Sequence, residues 1–315
     1  MCIRDSFVQG GKWGYIDLTG RIVIPPRFDR AGEFHEGLAR VNIGAKPLYD
    51  RRYRRWRPAG GKWGFIDKTG KLVIEAKYDG AFRFAEGLAP VRIGQREGYI
   101  DKEGRLVIKP DYDSATAFTE GRAAVRKGNR WGFVDTKGRL AVKIQYGYAG
   151  YFSEGLAPVE VRGKYGFIDT RGRMRIKPVH AIARSFSEGL AAVQGGKRNR
   201  WGYINTKGRM AIKQIYGRAG DFSEGLAYVW VAGKQGFIDK TGKLVVETKV
   251  DEAHGFSEGL CRVQVAGKYG FINKAGKLVI EPTFSGAGDF RFGVARVELS
   301  DDREDSKKSR TPPMP

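Results

Sequence analysis

"GKWGFIDKTGKLVI", residues 61–74, decides the fold of this 315-residue chain. Two short runs rich in aromatic and β-branched residues, 63–67 and 71–74, flank the link Lys68-Thr69-Gly70. A three-residue link that ends in glycine is typical of a type I turn closed by a left-handed glycine bulge. An aspartate at the start of such a turn accepts hydrogen bonds from the turn's own backbone. The stretch therefore predicts a β-hairpin.

The hairpin fixes a cross-strand register. It places Asp67 opposite Lys71, residue 66 opposite residue 72, and residue 65 opposite residue 73. A nucleotide-binding loop is the competing interpretation of Gly64, Gly70 and Lys71. Five residues separate the two glycines, more than a Walker-type loop allows, and no Ser or Thr follows the lysine. The loop is therefore interpreted as a turn.

The same sequence motif recurs along the chain. A glycine–aromatic step starts at Gly14, Gly64, Gly98, Gly132, Gly166, Gly202, Gly236 and Gly270, with spacings of 50, 34, 34, 34, 36, 34 and 34 residues. A phenylalanine that opens versions of "FSEGLAxV" keeps the same period at Phe34, Phe84, Phe118, Phe152, Phe186, Phe222, Phe256 and Phe290. A period of this length identifies a repeat protein whose units pack on their neighbours.

The unit predicts an all-β fold. Each repeat supplies the hairpin and a third strand, such as residues 88–91, which runs into the hairpin of the next repeat. We expect eight three-stranded antiparallel units in a curved or superhelical array over residues 7–298. A closed β-propeller is the alternative, although its blades usually need four strands.

The motif "GKWGFID…G+LVI…YD…F.EGLA.V" resembles the bacterial WG repeat, also called the KWG repeat, over nearly the whole chain. The resemblance implies a β-rich repeat without a general assigned activity. It marks structural positions at Trp13, Trp63, Trp131, Trp201, Gly14, Gly64, Asp17, Asp67, Gly20 and Gly70. Glu97 and Gln235 replace the signature tryptophan. Polar residues in that position suggest that it is partly exposed, although a repeated aromatic more often serves inter-repeat packing.

Composition favours an anionic partner. The formal net charge is +22, only Cys2 and Cys261 are present, and no apolar run is long enough to form a transmembrane helix. Every signature position follows a basic residue: Lys12, Lys62, Arg96, Arg130, Lys164, Arg200, Lys234 and Lys268. A second basic residue recurs in the turn, from Arg21 to Lys277, but the aspartate and glutamate of the motif balance these two columns.

The excess charge therefore comes from variable positions. Residues 97–218 hold 24 basic and 11 acidic residues, whereas residues 219–315 hold 14 of each. One slot carries lysine in four consecutive repeats, at Lys109, Lys143, Lys177 and Lys213, and glutamate elsewhere, at Glu75, Glu247 and Glu281. Stacked repeats would align the four lysines as a stripe.

The basic insert, residues 44–59, breaks the period. It contains "YDRRYRRWRP", in which Arg51, Arg52, Arg54, Arg55 and Arg57 alternate with Tyr53 and Trp56. Arginines bind phosphate or carboxylate while aromatic rings stack on bases, sugars or side chains. The alternative is a solvated hairpin extension that packs on its own scaffold. A smaller insert adds Lys197, Arg198 and Arg200 on another loop.

Catalytic signals are weak. "GFSEG" around Ser257 matches the sequence of a nucleophile elbow, but the same Ser-Glu-Gly sequence recurs in other repeats as an ordinary turn. His35, His180 and His254 occupy different repeat phases, so stacking does not assemble them into a metal site. The repeated glutamates, Glu36 to Glu258, are interpreted as turn acceptors or ion-pair partners. We expect no enzyme, cofactor or metal.

The termini differ from the repeats. "MCIRDS", residues 1–6, matches no later segment and suggests a leader derived from a sequencing adapter. Residues 299–315 predict a disordered tail.

The function hypothesis is a non-enzymatic scaffold that presents a basic, aromatic-bearing surface to a protein or anionic polymer, with a bacterial cell surface or envelope as one setting. One alternative is direct nucleic-acid binding through the insert and the lysine stripe. Another is that the chain is the non-catalytic part of a larger protein.

Overall fold

The computed structural model describes residues 3–9, 12–17, 22–50, 55–196, 198–284, 286–290 and 297–298, and these contain β-strands and turns but no helix. The chain divides into two compact units, Met1–Gln214 and Ile215–Pro315. The predicted all-β class is confirmed.

Unit 1 is built from consecutive antiparallel sheets. The first sheet has three strands, β1 (Ile3–Gln9), β2 (Lys12–Asp17) and β3 (Ile22–Phe28). The four-stranded sheets that follow are β4 (Arg30–His35), β5 (Leu38–Asp50), β6 (Arg55–Ile66), β7 (Leu72–Tyr78); β8 (Gly80–Ala81), β9 (Ala89–Ile93), β10 (Arg96–Ile100), β11 (Leu106–Tyr112); β12 (Ser114–Ala115), β13 (Arg122–Lys127), β14 (Arg130–Asp135), β15 (Leu140–Tyr146); β16 (Tyr148–Ala149), β17 (Leu156–Val161), β18 (Lys164–Asp169), β19 (Met174–His180); and β20 (Ile182–Ala183), β21 (Leu190–Gly195), β22 (Arg200–Asn205), β23 (Met210–Tyr216).

Unit 2 repeats the plan. Its four-stranded sheets are β24 (Arg218–Ala219), β25 (Ala227–Val231), β26 (Lys234–Ile238), β27 (Leu244–Thr248); and β28 (Glu252–Ser257), β29 (Leu260–Val265), β30 (Lys268–Asn273), β31 (Leu278–Phe284). The last described pair is β32 (Gly286–Ala287) with β33 (Val297–Glu298).

Each four-stranded sheet crosses a boundary between sequence repeats. Its first two strands come from the "YD…FSEGLAxV" half of one repeat, and its last two come from the "GKWGFID…LVI" hairpin of the next. Three strands are long, as expected. A further short strand, only two residues in most sheets, brings each of these sheets to four strands, the number typical of a propeller blade.

The predicted turn is present. Gly70 donates its N–H to the carbonyl of Asp67 (3.0 Å) and has a φ of 86°. The carboxylate of Asp67 accepts the backbone N–H of Thr69 (2.9 Å) and of Lys71 (3.1 Å). These contacts close the hairpin as the sequence requires.

One part of the predicted register is wrong. Ile66 lies opposite Leu72 as expected, but Phe65 pairs with Ile74 and not with Val73. A register shift between the two pairs inserts an extra residue, as in a β-bulge. Val73 is consequently 41% exposed whereas Ile74 is buried. Of the three aliphatic residues at the start of β7, Leu72, Val73 and Ile74, only Ile74 is therefore buried.

The hydrophobic core of unit 1 is divided into layers between neighbouring sheets. The strand β6 shows how: Ile66 packs with Tyr15 and Ile24 of the preceding sheet, and Phe65 packs in a cluster that includes Ile100 of the following sheet. Both residues are fully buried. Each central strand thus lies between two cores, so a sheet depends on its neighbours for stability.

Candidate functional site

Several of the cations that the motif itself supplies are paired with carboxylates. The turn arginines Arg105, Arg139 and Arg173 pair with the aspartates four residues before them at 2.6, 2.7 and 2.8 Å. Burial alone would raise the pKa of each aspartate, but the hydrogen bonds from the arginine and from the turn backbone lower it. These ion pairs join residues within the same hairpin turn.

The basic residues before the signature position also have partners in the first sheets. Lys12 pairs with Asp29, Lys62 Nζ lies 2.5 Å from Asp79, and Arg96 lies 2.5 Å from Asp113. Asp79 and Asp113 in turn accept backbone N–H groups of Gly94 and Gly128. Cations of both motif columns therefore take part in ion pairs within the fold.

The four stripe lysines behave differently. They occupy one register position on the outer strands β11, β15, β19 and β23, each directly after a buried aliphatic residue, and all four are exposed: Lys109, Lys143, Lys177 and Lys213. We call this set the lysine row. None of the four forms an ion pair with any residue in the part of the chain that the structure describes.

The same position carries glutamate in unit 2. There Glu247 follows the buried Val246, and its carboxylate lies 3.0 Å from Lys234 Nζ. The lysine row is thus a property of four consecutive repeats and not of the repeat motif, since Glu75 in unit 1 and Glu247 and Glu281 in unit 2 occupy the same position.

The glutamate column has a structural role. In the Thr119-Glu120-Gly121-Arg122 turn both central residues have positive φ, 52° at Glu120 and 72° at Gly121, as a type I′ turn requires. The carboxylate of Glu120 accepts the backbone N–H of Gly155 in the next repeat at 2.9 Å. Equivalent bonds join Glu36 to Gly87, Glu86 to Gly121, Glu154 to Gly189 and Glu224 to Gly259. The prediction of a turn acceptor is confirmed.

The signature tryptophans are half-buried. Trp13, Trp63, Trp131 and Trp201 share this exposure class. An arginine guanidinium lies over three of the rings: Arg40 over Trp63 (5.3 Å to the ring centroid), Arg126 over Trp131 (5.9 Å) and Arg184 over Trp201 (5.6 Å). These cation–π contacts combine packing with partial exposure.

The inference from Glu97 is wrong. This side chain is 2% exposed, so a polar residue in the signature position does not require solvent. Its carboxylate accepts two hydrogen bonds from Arg92, at 2.6 and 3.1 Å, and one from the backbone N–H of Ala115 at 2.7 Å. A buried charge is stable when it is paired in this way. Arg92 lies directly opposite Glu97 on β9, a partner that only the strand register reveals.

Gln235 has a different explanation. It lies opposite Trp230, so the aromatic and the polar residue have exchanged strands relative to the pair Gln194–Trp201. Trp230 is 39% exposed, and the Arg218 guanidinium lies over its ring at 5.4 Å.

The basic insert extends a hairpin. β5 and β6 continue to pair beyond the sheet, from Ala45 opposite Gly60 to Asp50 opposite Arg55. Four of the predicted binding residues lie outside the described residues: Arg51, Arg52, Tyr53 and Arg54. For Arg55, Trp56 and Arg57 the structure describes the backbone alone, as part of β6. In the smaller insert, Arg198 and Arg200 are exposed, and Lys197 lies outside the described residues.

The weak catalytic signals map to packed or turn positions. The hydroxyl of Ser257 donates to the carbonyl of Phe290. His180 is 8% exposed, and burial lowers its pKa. Among the described residues no group of three or more His, Cys, Asp or Glu could hold a metal ion, and no helix is long and apolar enough to cross a membrane.

These features define an all-β repeat protein in which the shared motif builds the fold and the variable positions build the surface. The WG containing repeat family matches residues 13–46, 63–96, 98–131, 131–165, 165–197, 201–234, 236–269 and 269–301, and the chain belongs to this family. The eight predicted repeats are confirmed. No curated protein sequence matches the chain significantly.

Two solved structures share the fold at low sequence identity. One, described as a eukaryotic initiation factor, is 11% identical, with 87% of this chain and 84% of that chain covered and a TM-score of 0.58. The other, the dihydro-heme d1 dehydrogenase NirN in complex with DHE, is 12% identical, with 87% and 71% covered and a TM-score of 0.51. Both likenesses concern the fold alone.

Proposed function

We propose that this protein is a non-catalytic binding module that presents the lysine row to an anionic polymer or an acidic protein surface. The observation that carries the proposal is the contrast between cations. Motif cations such as Arg105 and Lys62 are paired with carboxylates, whereas Lys109, Lys143, Lys177 and Lys213 are exposed and without an ion-pair partner among the described residues.

Edge protection is the competing explanation for these lysines. Charged residues on an outer strand discourage pairing with other chains. Glutamate protects an edge equally well, and unit 2 uses it at Glu247 and Glu281. Edge protection therefore explains a charge in this position but not four consecutive positive ones.

The test compares two variants of equal charge. In the first, all four residues of the lysine row become glutamate. In the control, four exposed cations of the hairpin turns in the same unit become glutamate: Lys68, Lys137, Arg171 and Lys207. Binding of fluorescent polyglutamate, polyphosphate and a 15-nucleotide poly-dT is measured by anisotropy over a series of salt concentrations.

We expect wild-type affinity for at least one polymer to fall as salt rises, and the row variant to bind about tenfold more weakly than the turn control. Equal losses in the two variants would show that only total charge matters. Absence of polyanion binding at physiological salt would refute the proposal outright.

Direct nucleic-acid binding is a second candidate, and the extended β5–β6 hairpin favours it. The paired backbone from Ala45 to Asp50 and from Arg55 to Gly60 forms a two-stranded ribbon that carries the arginine-rich sequence. Replacing the five insert arginines with serine should reduce the slope of log affinity against log salt by about 0.7 for each single-strand phosphate that the variant no longer neutralises. An unchanged slope for poly-dT would eliminate this candidate.

A further inference from the structure

Two exposed tyrosines of unit 1 lie close together in the chain, one on β16 and one just after it. Tyr148 on β16 is 42% exposed, and Tyr151, three residues later, is 48% exposed. The ring of Tyr148 lies 6.4 Å from that of Trp131 and 5.7 Å from that of Tyr165, with interplanar angles of 56° and 50°. We call these four side chains the aromatic patch.

Two residues of the aromatic patch pack on the hydrophobic cores beneath it. Trp131 packs against the core that contains Phe133 and Phe152, and Tyr165 packs against the next core, which contains Phe167. The backbone of Tyr151 is also fixed, since its carbonyl accepts the hydroxyl of Ser185 at 3.1 Å. The rings therefore form a preorganised surface.

The repeat does not require tyrosine at either exposed position. The residues equivalent to Tyr148 in neighbouring sheets are Gly80, Ser114, Ile182 and Arg218. Those equivalent to Tyr151 are Arg83, Ala117, Ser185 and Asp221. Neighbouring sheets thus form without tyrosine at these two positions. The exposed rings of Tyr148 and Tyr151 therefore need an explanation other than folding.

Polar groups flank the rings. Arg126 covers Trp131 and donates to the carbonyl of Gly128 at 2.7 Å. Glu160 lies opposite both Tyr148 and Tyr165 in the sheet. Its carboxylate occupies the space beside Gly147 and leaves no room there for an added Cβ. Burial, followed by the nearby Tyr151, raises the pKa of Tyr148, so the phenol remains a neutral donor and acceptor.

This chemistry differs from that of the lysine row. The flanking charges, one Arg126 and one Glu160, are of opposite sign, and a carboxylate among phenols disfavours phosphate or carboxylate ligands. Tyr148 and Lys177 are on opposite edge strands of the same sheet, three strand spacings or about 14 Å apart. A polyanion held by the lysine row would therefore not account for the patch.

We infer that the aromatic patch is a binding site for a neutral oligosaccharide of β-1,4-linked, gluco-configured sugars. Such sugars present flat faces of axial C–H groups, which lose apolar area to water when they stack on aromatic rings. Their equatorial hydroxyls are donors and acceptors that match the phenols, the guanidinium of Arg126 and the carboxylate of Glu160.

The experiment titrates the full chain with two soluble probes, the β-1,4-linked hexamers of glucose and of N-acetylglucosamine, by calorimetry and tryptophan fluorescence. Tyr148→Ala and Tyr151→Ala remove the exposed rings, and Tyr148→Phe keeps stacking. Ile182→Ala is the matched control, because Ile182 is 42% exposed at the position in the next sheet that corresponds to Tyr148.

We expect at least one hexamer to bind, with affinity at least about tenfold lower in Tyr148→Ala and unchanged in Ile182→Ala. Affinity should also be insensitive to salt, because the ligand is neutral. Failure of both hexamers to bind, or equal losses in Tyr148→Ala and Ile182→Ala, would overturn the inference. Loss of poly-dT binding in Tyr148→Ala, with no sugar bound, would identify a nucleic-acid stacking surface instead. The lysine-row proposal is unaffected by these outcomes, since it concerns charged polymers and other residues.

Discussion

Glu120 offers a direct test of how the repeats are joined. Its φ of 52° lies in the left-handed region, which L-residues other than Asn, Asp and Gly rarely adopt. Its carboxylate bonds the N–H of Gly155 in the next repeat. We predict that the strain at Glu120 is offset by this inter-repeat hydrogen bond, and that substitutions can separate the two effects.

The magnitudes follow from the geometry. A left-handed conformation costs an L-residue about 1 kcal/mol. The bond to Gly155 is charge-assisted but exposed, so we assign it about 1 kcal/mol, below the range for buried charged bonds. Glu120→Ala loses the bond and keeps the strain, and should reduce the free energy of unfolding by about 1 kcal/mol. Glu120→Gly loses both, and should remain within about 0.5 kcal/mol of the wild type.

The assay is urea denaturation followed by tryptophan fluorescence, with midpoints compared between variants of equal m-value. Glu103 supplies the control, since its own φ is not positive and its carboxylate accepts from Arg105 of the same hairpin, with no inter-repeat bond in the described structure. There, Gly should be no better than Ala. If Glu120→Gly were as unstable as Glu120→Ala, the strain argument would be refuted. An unchanged Glu120→Ala would refute the hydrogen-bond argument.

Three further predictions concern buried groups. Arg92→Ala should destabilise the protein by about 3 kcal/mol, more than Glu97→Ala, because it leaves the buried carboxylate of Glu97 unpaired; equal losses in chemical denaturation would contradict this. Burial lowers the pKa of His180 from 6.5, so stability is fully present above that pH and declines as pH falls below it. Thermal melts should therefore show a smaller loss between about pH 7 and pH 5 in His180→Tyr, which restores the residue found at Tyr78, Tyr112, Tyr146 and Tyr216. Burial raises the pKa of Cys261 to about 12, so its alkylation, followed by peptide mass spectrometry, should require unfolding; rapid labelling of the native protein would show that the thiol is accessible.

The sequence was sufficient to predict the hairpin because its turn is encoded locally. Asp67, Thr69 and Gly70 each make the contact that their residue type favours. The bulge that moves Val73 out of register was missed, because apolar residues fill both positions 73 and 74 and the pattern alone does not show which one is buried. The two-residue strands were missed for a similar reason, since they are too short to show a period.

The candidate site was predictable in part. The lysine row follows directly from aligning the repeats, and its exposure on the outer strands agrees with that alignment. Glu97 was misinterpreted because its partner, Arg92, is identified only by the strand register. The aromatic patch is not evident from the sequence, because Tyr148 lies at a different phase of the repeat from Trp131 and Tyr165, and the three rings converge only when neighbouring sheets pack.

The bond from each turn glutamate to the glycine of the following repeat has an evolutionary consequence. Donor and acceptor belong to the same short motif, so seven of the eight copies carry both halves of the junction, and only the last has Phe292 in place of the glutamate. A tandem duplication or an in-frame loss of one repeat would bring matching halves together at the new junction. Repeat number can therefore change without the joint evolution of two surfaces, while residues such as Lys143 and Tyr148 diversify independently of the junction.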